Sequence, residues 1–296
     1  MGILLVILAS LLLGSYPSIQ EYVMTTGASP LGMVIVCNSV AGLSALLVGL
    51  FKKENFKVSA KELAALALTG ILGLFMTDYL LNVAYTMIPV GFTTMIHFFY
   101  PSLVTMIMVI AFKEKFTWKK LGAIVISIIG LALISGGDFS GHKMGIVVAL
   151  ITAFSYSFYM IANDKTSAGK VSLMVRSFYL NLFVVLTATI TNMFTHKAVL
   201  PEGTVNIGLS ALVGVMLCTA IVLLNAGISK LGAGKASFIN MLEPITSLVV
   251  STIVFKYTLS LMAILGALLI IGSLILITRG EEEQDSDYEC QNVMEN

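Results

Sequence analysis

Residues 91–113, GFTTMIHFFYPSLVTMIMVIAFK, have a counterpart 143 positions later in residues 234–256, GKASFINMLEPITSLVVSTIVFK. Gly91, Pro101 and Phe112-Lys113 recur there as Gly234, Pro244 and Phe255-Lys256. The same offset carries Met1-Gly2-Ile3 to Met144-Gly145-Ile146, Asn38 to Asn181, and Leu80-Leu81-Asn82 to Leu223-Leu224-Asn225. The register holds without a gap from Met1 to Lys113, so the chain is a duplicated unit. Each unit contains an odd number of apolar stretches long enough to cross a bilayer. A second copy with an odd count enters the membrane from the opposite face. Such inverted repeats build secondary transporters, whose site lies near the midplane where the two halves meet.

Composition agrees with a membrane location. Hydrophobic residues make up 57% of the chain and charged residues only 11%, with mean hydropathy +0.96; a soluble domain carries about 25% charged residues. The lipid bilayer is therefore the first partner. A net charge of +1 offers nothing to nucleic acid. Cys37, Cys218 and Cys290 are scattered without metal or disulfide spacing, so no metal and no cofactor is expected. The N-terminus lacks the basic flank of a signal peptide, and Val6 stands where myristoylation needs Ser or Thr; the first stretch is read as a mature span.

About 20 apolar residues cross a bilayer as a helix. Cutting at charges and at Gly or Pro breaks predicts ten: 3–23, 31–51, 63–85, 89–112, 118–135, 144–163, 172–194, 205–228, 233–255 and 259–278. The expected fold is all-α integral membrane, ten helices in two inverted five-helix repeats, residues 1–141 and 142–280, with an acidic tail at 281–296. Basic residues in short loops mark the cytoplasmic side. With the N-terminus inside, Lys52, Lys53, Lys57, Lys61, Lys113, Lys115, Lys119, Lys120, Lys165, Lys170, Arg176, Lys230, Lys235 and Arg279 fall on that side. Only Lys143, Lys197 and Lys256 fall on the other. Both termini are thus expected in the cytoplasm, of a cell (plasma or inner) membrane protein. The duplicated loops 52–61 and 195–204 carry four lysines and one, as loops on opposite faces should.

Polar side chains at membrane depth are costly and face cavities or other helices. Asp78, Asn82 and Tyr85 share one helix face; Thr93, His97, Tyr100 and Pro101 form a second stripe. Thr152, Tyr156, Tyr159 and Asn163 form a third, and Ser237, Asn240, Glu243 and Ser247 a fourth; the first span adds Tyr16 and Gln20. Glu243, near the centre of its span, must be protonated, paired or facing water, since an ionised carboxylate there costs about 2.5–3.5 kcal/mol. It has two readings: a ligand for a substrate ammonium or a coupled proton, or a carboxyl bonding backbone freed by Pro244. Asp78 is either a second such group or an interfacial residue, and His97 either a titrating group or a packed neutral ring. Asn38/Asn181 and Asn82/Asn225 are explained by bonds between helices. Pro17, Pro101 and Pro244 each remove a helix hydrogen bond; Pro101 and Pro244 occupy corresponding places, where carriers break their helices. Gly122, Gly130, Gly266 and Gly272 are read as sites of close helix packing. The fifth and tenth spans, poor in polar residues, are read as supports or as a homodimer face.

The end-of-repeat segments resemble the drug/metabolite transporter superfamily, in particular its ten-helix EamA-type members, over residues 3 to 279. The first segment carries Pro101-Ser102-Leu103, Lys113-Glu114-Lys115-Phe116-Thr117, Gly122-Ala123 and Gly130; the second Leu242-Glu243-Pro244, Phe255-Lys256-Tyr257-Thr258-Leu259, Gly266-Ala267 and Gly272. Lys256-Tyr257 departs from the family's helix-ending Glu, which Glu114 matches in the first repeat. The resemblance implies export of amino acids, related metabolites or toxic organic compounds. No phosphate-gripping loop is present, so transport is expected to be secondary, by alternating access, with proton or other ion coupling open. The alternatives are an intramembrane enzyme, for which His97, His142 and His196 supply no catalytic constellation, and a non-transporting scaffold.

Overall fold

The computed structural model describes every residue except 86, 89, 115–116, 135–142, 256–259, 263, 274 and 277–296. Lys115, Phe116, His142, Lys256-Tyr257, Arg279, Cys290 and the acidic tail lie outside the described residues.

The described residues form an all-helical bundle: α1 (Gly2–Thr25), α2 (Pro30–Phe51), α3 (Ala60–Leu68), a π-helix (Thr69–Phe75), α4 (Met76–Tyr85), α5 (Val90–His97), α6 (Tyr100–Phe112), α7 (Trp118–Ile134), α8 (Lys143–Lys165), α9 (Leu173–Thr195), α10 (Thr204–Ile239) and α11 (Leu242–Phe255). A shorter apolar helix, α12, covers Ile264–Ser273. Among the described residues six helices are long and apolar enough to cross a membrane: α1, α2, the continuous 60–84 segment, α8, α9 and α10. The fourth and ninth predicted stretches are helical but interrupted. Turns at 98–99 and 240–241 divide them, and the ninth joins α10 across a kink at Gly232 (φ +79°).

Local sequence explains the ends. Ser29 caps α2 by accepting from Gly32 N at 3.0 Å, with Pro30 in the first helical position, where a missing N–H costs nothing. Ser59 and Glu62 form a reciprocal capping box at the start of α3. Lys53 (φ 55°) and His196 (φ 51°), 143 positions apart, both take the left-handed conformation just past the ends of α2 and α9.

The helices touch through contacts that exchange between the halves. A methyl on Gly2 would lie 2.8 Å from Leu231 Cγ, and one on Gly145 would lie 2.7 Å from Ile88 Cγ2; both partners shift by the same 143 positions. Ser127 and Ser273 hydroxyls meet at 2.6 Å, and Gly130 faces Ile270, their exchanged equivalents. Gly14 faces the carbonyl of Glu243, while Ser157 Oγ donates to the carbonyl of Tyr100 at 3.2 Å. Neighbouring helices follow the same rule: α1 packs on α10 and α11, and α8 packs on the 69–85 segment, α5 and α6.

The loops collect at two ends. At one end Ser167 Oγ donates to Lys61 O, Ser172 Oγ to Glu54, Lys165 pairs with Glu114 at 3.8 Å, and Gly2 meets Lys230. At the other, Ser29 pairs with Val199 and Asn206 Nδ2 donates to Thr26. The lysine-rich loops assigned above to one face therefore sit together.

Two packing expectations are corrected. Gly130 lies against α12 as expected, but among the described residues Gly122 and Gly272 have no atom within 4 Å of an added methyl and seat no helix. Arg176, counted above among the cytoplasmic loop cations, is inside α9 and only 1% exposed.

Candidate functional site

The two helix breaks decide which side chains reach the centre. α5 ends at His97 and α6 restarts with Tyr100-Pro101; α10 ends at Ile239 and α11 restarts with Leu242-Glu243-Pro244. Proline in a first turn takes no bond from the helix, because the first four N–H groups have no intrahelical acceptor. Pro101 and Pro244 thus start helices rather than deleting bonds inside them, a correction to the expectation; Pro17 does lie inside α1. Positions 97 and 240, and 100 and 243, are the same places in the two repeats.

Asn240, fully buried, ties these places together. Its Nδ2 donates to Tyr100 OH at 3.0 Å and to Glu243 Oε2 at 3.0 Å. Its Oδ1 accepts from Ser10 Oγ at 2.9 Å. Tyr100, also fully buried, donates its own proton to Ser237 O at 3.3 Å. One amide therefore links α1, α6 and α11, and every hydrogen-bonding atom it owns is used. Gly14 makes the approach possible: an added methyl would lie 2.4 Å from Glu243 O and 2.6 Å from Thr246 Cβ.

An aromatic column adjoins this amide. Tyr156 meets Tyr100 edge-on at 4.7 Å, His97 at 5.4 Å and Tyr159 in a stack at 5.5 Å. His97 Nδ1 lies 3.0 Å from Thr152 Oγ1, whose proton goes to Ala149 O at 2.6 Å. With its proton spent there, Thr152 Oγ1 can accept from His97 Nδ1. His97 is 5% exposed, a packed ring bonded between helices. Tyr159 OH donates to Asn225 Oδ1 at 3.0 Å.

Both carboxylates border this group. Glu243 and Asp78 are half-buried, unlike the fully buried residues around them, and Glu243 lies in the electrostatic field of Asp78. Asn38 and Tyr159 stand beside Asp78. The π-helix precedes Asp78 by two residues and packs tightly: a methyl on Gly73 would lie 2.9 Å from Tyr159 Cβ. Extra residues in a helical turn re-aim the side chains that follow, and such turns are frequent at functional sites.

Of the polar side chains singled out from sequence, Glu243, Asn240, Tyr100, Tyr156, Tyr159 and His97 form one contiguous group. Tyr16 lies in the field of Tyr156, and Asp78 borders the group. Gln20 is half-buried and outside the hydrogen-bonded group. Asn82 is half-buried and donates to Asp78 O in its own helix at 2.7 Å. Asn38 and Asn181 likewise bond carbonyls four residues back; among the described residues Asn38 also bonds Asp78 of α4 and Asn225 bonds Tyr159 of α8, both across to another helix. Ser10 was missed. The legible signal was Ser10, Gly14 and Ser18, small residues at four-residue spacing and all buried, the pattern of a close helix seam. Arg176 was missed as an interior residue because basic residues near helix ends read as loop charges.

A cavity also lies elsewhere: a lateral groove of about 420 Å³ between α6 and α7, lined by Phe99, Ser102, Thr105, Met106, Ile110 and Leu121 among others.

Comparison with known proteins agrees with this architecture. A solved crystal structure with 16% sequence identity superposes with TM-score 0.79, covering 94% of this chain and 98% of its own, which establishes the fold alone. A curated relative described as the uncharacterized transporter YdfC of Bacillus subtilis (strain 168) is 32% identical over 103 residues. That match spans about a third of each protein, 34% of this chain and 34% of the relative. The EamA-like transporter family matches residues 1–136 and again 143–279, two copies that divide the chain where the internal repeat divides it. The chain is a multi-pass membrane protein and belongs to the EamA-like transporter family of the drug/metabolite transporters.

Proposed function

We propose that the protein is a secondary carrier that moves a small organic solute outward across the plasma or inner membrane by alternating access. Ten helices form two inverted five-helix repeats, both termini face the cytoplasm, and the solute binds between the repeats beside Asn240, Tyr100, Tyr156, Glu243 and Asp78. One observation carries the reading. Tyr100 and Glu243, equivalent positions of the two repeats, enter one hydrogen-bonded group through a single amide, and each does so from a helix restarted at the equivalent break. The exchanged glycine and serine contacts support a two-fold relation between the halves. An odd number of spans per half makes that relation an inversion.

Glu243 and Asp78 are the groups proposed to bind a cation or carry a coupled proton, because both keep accessible surface within the bundle. The aromatic column provides a face for an apolar or aromatic moiety. α7 and α12, joined through Ser127–Ser273, are proposed as support and as the face of any homodimer. Counterflow in proteoliposomes tests the reading: vesicles preloaded with unlabelled solute should accumulate labelled solute transiently. Failure of every solute in a metabolite and drug panel, with folded protein in the vesicles, refutes it.

A further inference from the structure

Arg176 is among the largest side chains wholly enclosed by the bundle, 1% exposed, and the site proposed above makes no use of it. Its two hydrogen bonds are both long: Nη1 to Asn163 O at 3.4 Å and Nη2 to Ser229 Oγ at 3.4 Å. Its Nε has no partner. Among the described residues no carboxylate lies within ion-pair distance of it. The carbonyl end of α8, from which Asn163 comes, offers only a fraction of a counter-charge. A guanidinium withdrawn from water needs an anion with well-placed acceptors, and is strongly unfavourable without one.

The surroundings repeat the deficit. Tyr159 stands in the field of Arg176 and donates to Asn225 Oδ1 at 3.0 Å, which leaves Asn225 Nδ2 as a second donor with nothing to bond. Asn225 is fully buried. Two unpartnered donors, one of them cationic, therefore flank Tyr159. Tyr159 is also the last ring of the column that begins at Tyr100 and Glu243. The column thus has a carboxylate at one end and an unmatched cation at the other.

We propose that Arg176 and Asn225 form an anion-recognition subsite that takes the carboxylate of the transported solute. The inference rests on the carrier reading and adds to it the chemical class of one end of the ligand. A carboxylate supplies two oxygens, one for the planar guanidinium fork and one for the amide. Binding discriminates against the amide of the same acid, which brings no charge to the arginine.

The test uses full-length protein in detergent and proteoliposomes, with acetate, benzoate, phenylacetate and indole-3-acetate, their primary amides, and chloride. Wild-type protein should be thermally stabilised by at least one organic acid more than by its amide and more than by chloride. Arg176→Gln should weaken that acid's binding by about tenfold or more and erase the acid–amide difference, while Arg176→Lys retains part of it. Should Arg176→Gln fail to fold, Asn225→Asp decides. It keeps the acceptor for Tyr159, gives the arginine an internal counter-ion, and should leave a folded protein that no longer prefers acids. Equal response to acids and amides, stabilisation by chloride alone, or an unchanged preference in Arg176→Gln or Asn225→Asp overturns the proposal. Counterflow of an amine or neutral solute without any acid preference overturns this inference and leaves the carrier reading standing; absence of all counterflow refutes the carrier reading, while the thermal arm still judges the subsite.

Discussion

Replacing Asn240 by Leu is the sharpest perturbation of the centre, since the two side chains are similar in size and the change removes three hydrogen bonds at once. The bonds lost are those to Ser10, Tyr100 and Glu243. Side-chain hydrogen bonds inside membrane proteins average about 0.6 kcal/mol and reach about 1.7, so the loss is expected near 2 kcal/mol, with a ceiling of about 5. Two partners limit the damage: Ser10 Oγ keeps Val6 O at 2.8 Å, and Tyr100 OH keeps Ser237 O. Glu243 loses the donor on Oε2, which places the effect toward the middle of that range. SDS titration in mixed micelles measures the unfolding free energy, with Asn82→Leu as reference. Asn82 is half-buried and bonds only its own helix, so its loss should cost about 0.6 kcal/mol or less. Counterflow should fall steeply for Asn240→Leu and little for Asn82→Leu. If the two variants are equally stable and equally active, the shared amide is not what joins the repeats.

Glu243→Gln keeps the acceptor facing Asn240 and removes the titratable proton. Transport should lose its pH dependence, and a wild-type pH profile would return Glu243 to a purely structural role. Single cysteines at Lys57 and Lys197, on a background without Cys37, Cys218 and Cys290, should react with impermeant maleimide from opposite sides of the membrane; reaction from one side overturns the inverted topology. Gly14→Leu drives a side chain into the Glu243 carbonyl, with even the first carbon at 2.4 Å, and should cost about 1–3 kcal/mol or more. Gly122→Leu, with nothing within 4 Å, should stay within about 0.5 kcal/mol of wild type in the same titration.

The repeat, the helical stretches and the side chains of the centre were legible because each rests on a one-dimensional signal: a constant offset, a run of apolar residues, a polar stripe at helical spacing. The prolines located the breaks to within a few residues but not their geometry. Pro101 follows its break and opens α6, which only the turn at 98–99 reveals. The asparagines misled for a related reason. A polar side chain in a helix chooses between a neighbouring helix and the carbonyl four residues back, and the packing that makes the choice for Asn82 and Asn181 is absent from the sequence. Arg176 shows the limit of charge counting. A basic residue four residues into a helix is drawn to the water interface on average, but here its guanidinium turns inward to Asn163 O at the end of α8 and to Ser229 of α10.

The two halves share packing but not charge, and the difference bears on mechanism. Close contacts such as Gly2 with Leu231 and Gly145 with Ile88 recur in exchanged form, so each half can adopt the other's arrangement at similar cost in packing. That near-equality is what alternating access between two inverted repeats requires, because the inward and outward states are then related by exchange. The ionisable groups have no such partners. Glu243 corresponds to Tyr100, Asp78 to Ile221, Arg176 to Met33 and His97 to Asn240. A charge present in only one copy does not move to the other half when the arrangement is exchanged. On the carrier reading proposed above, the solute meets the same carboxylates in both states while the helices around it trade places. An affinity difference between the two faces must then come from which surface reaches water, not from a change of ligands.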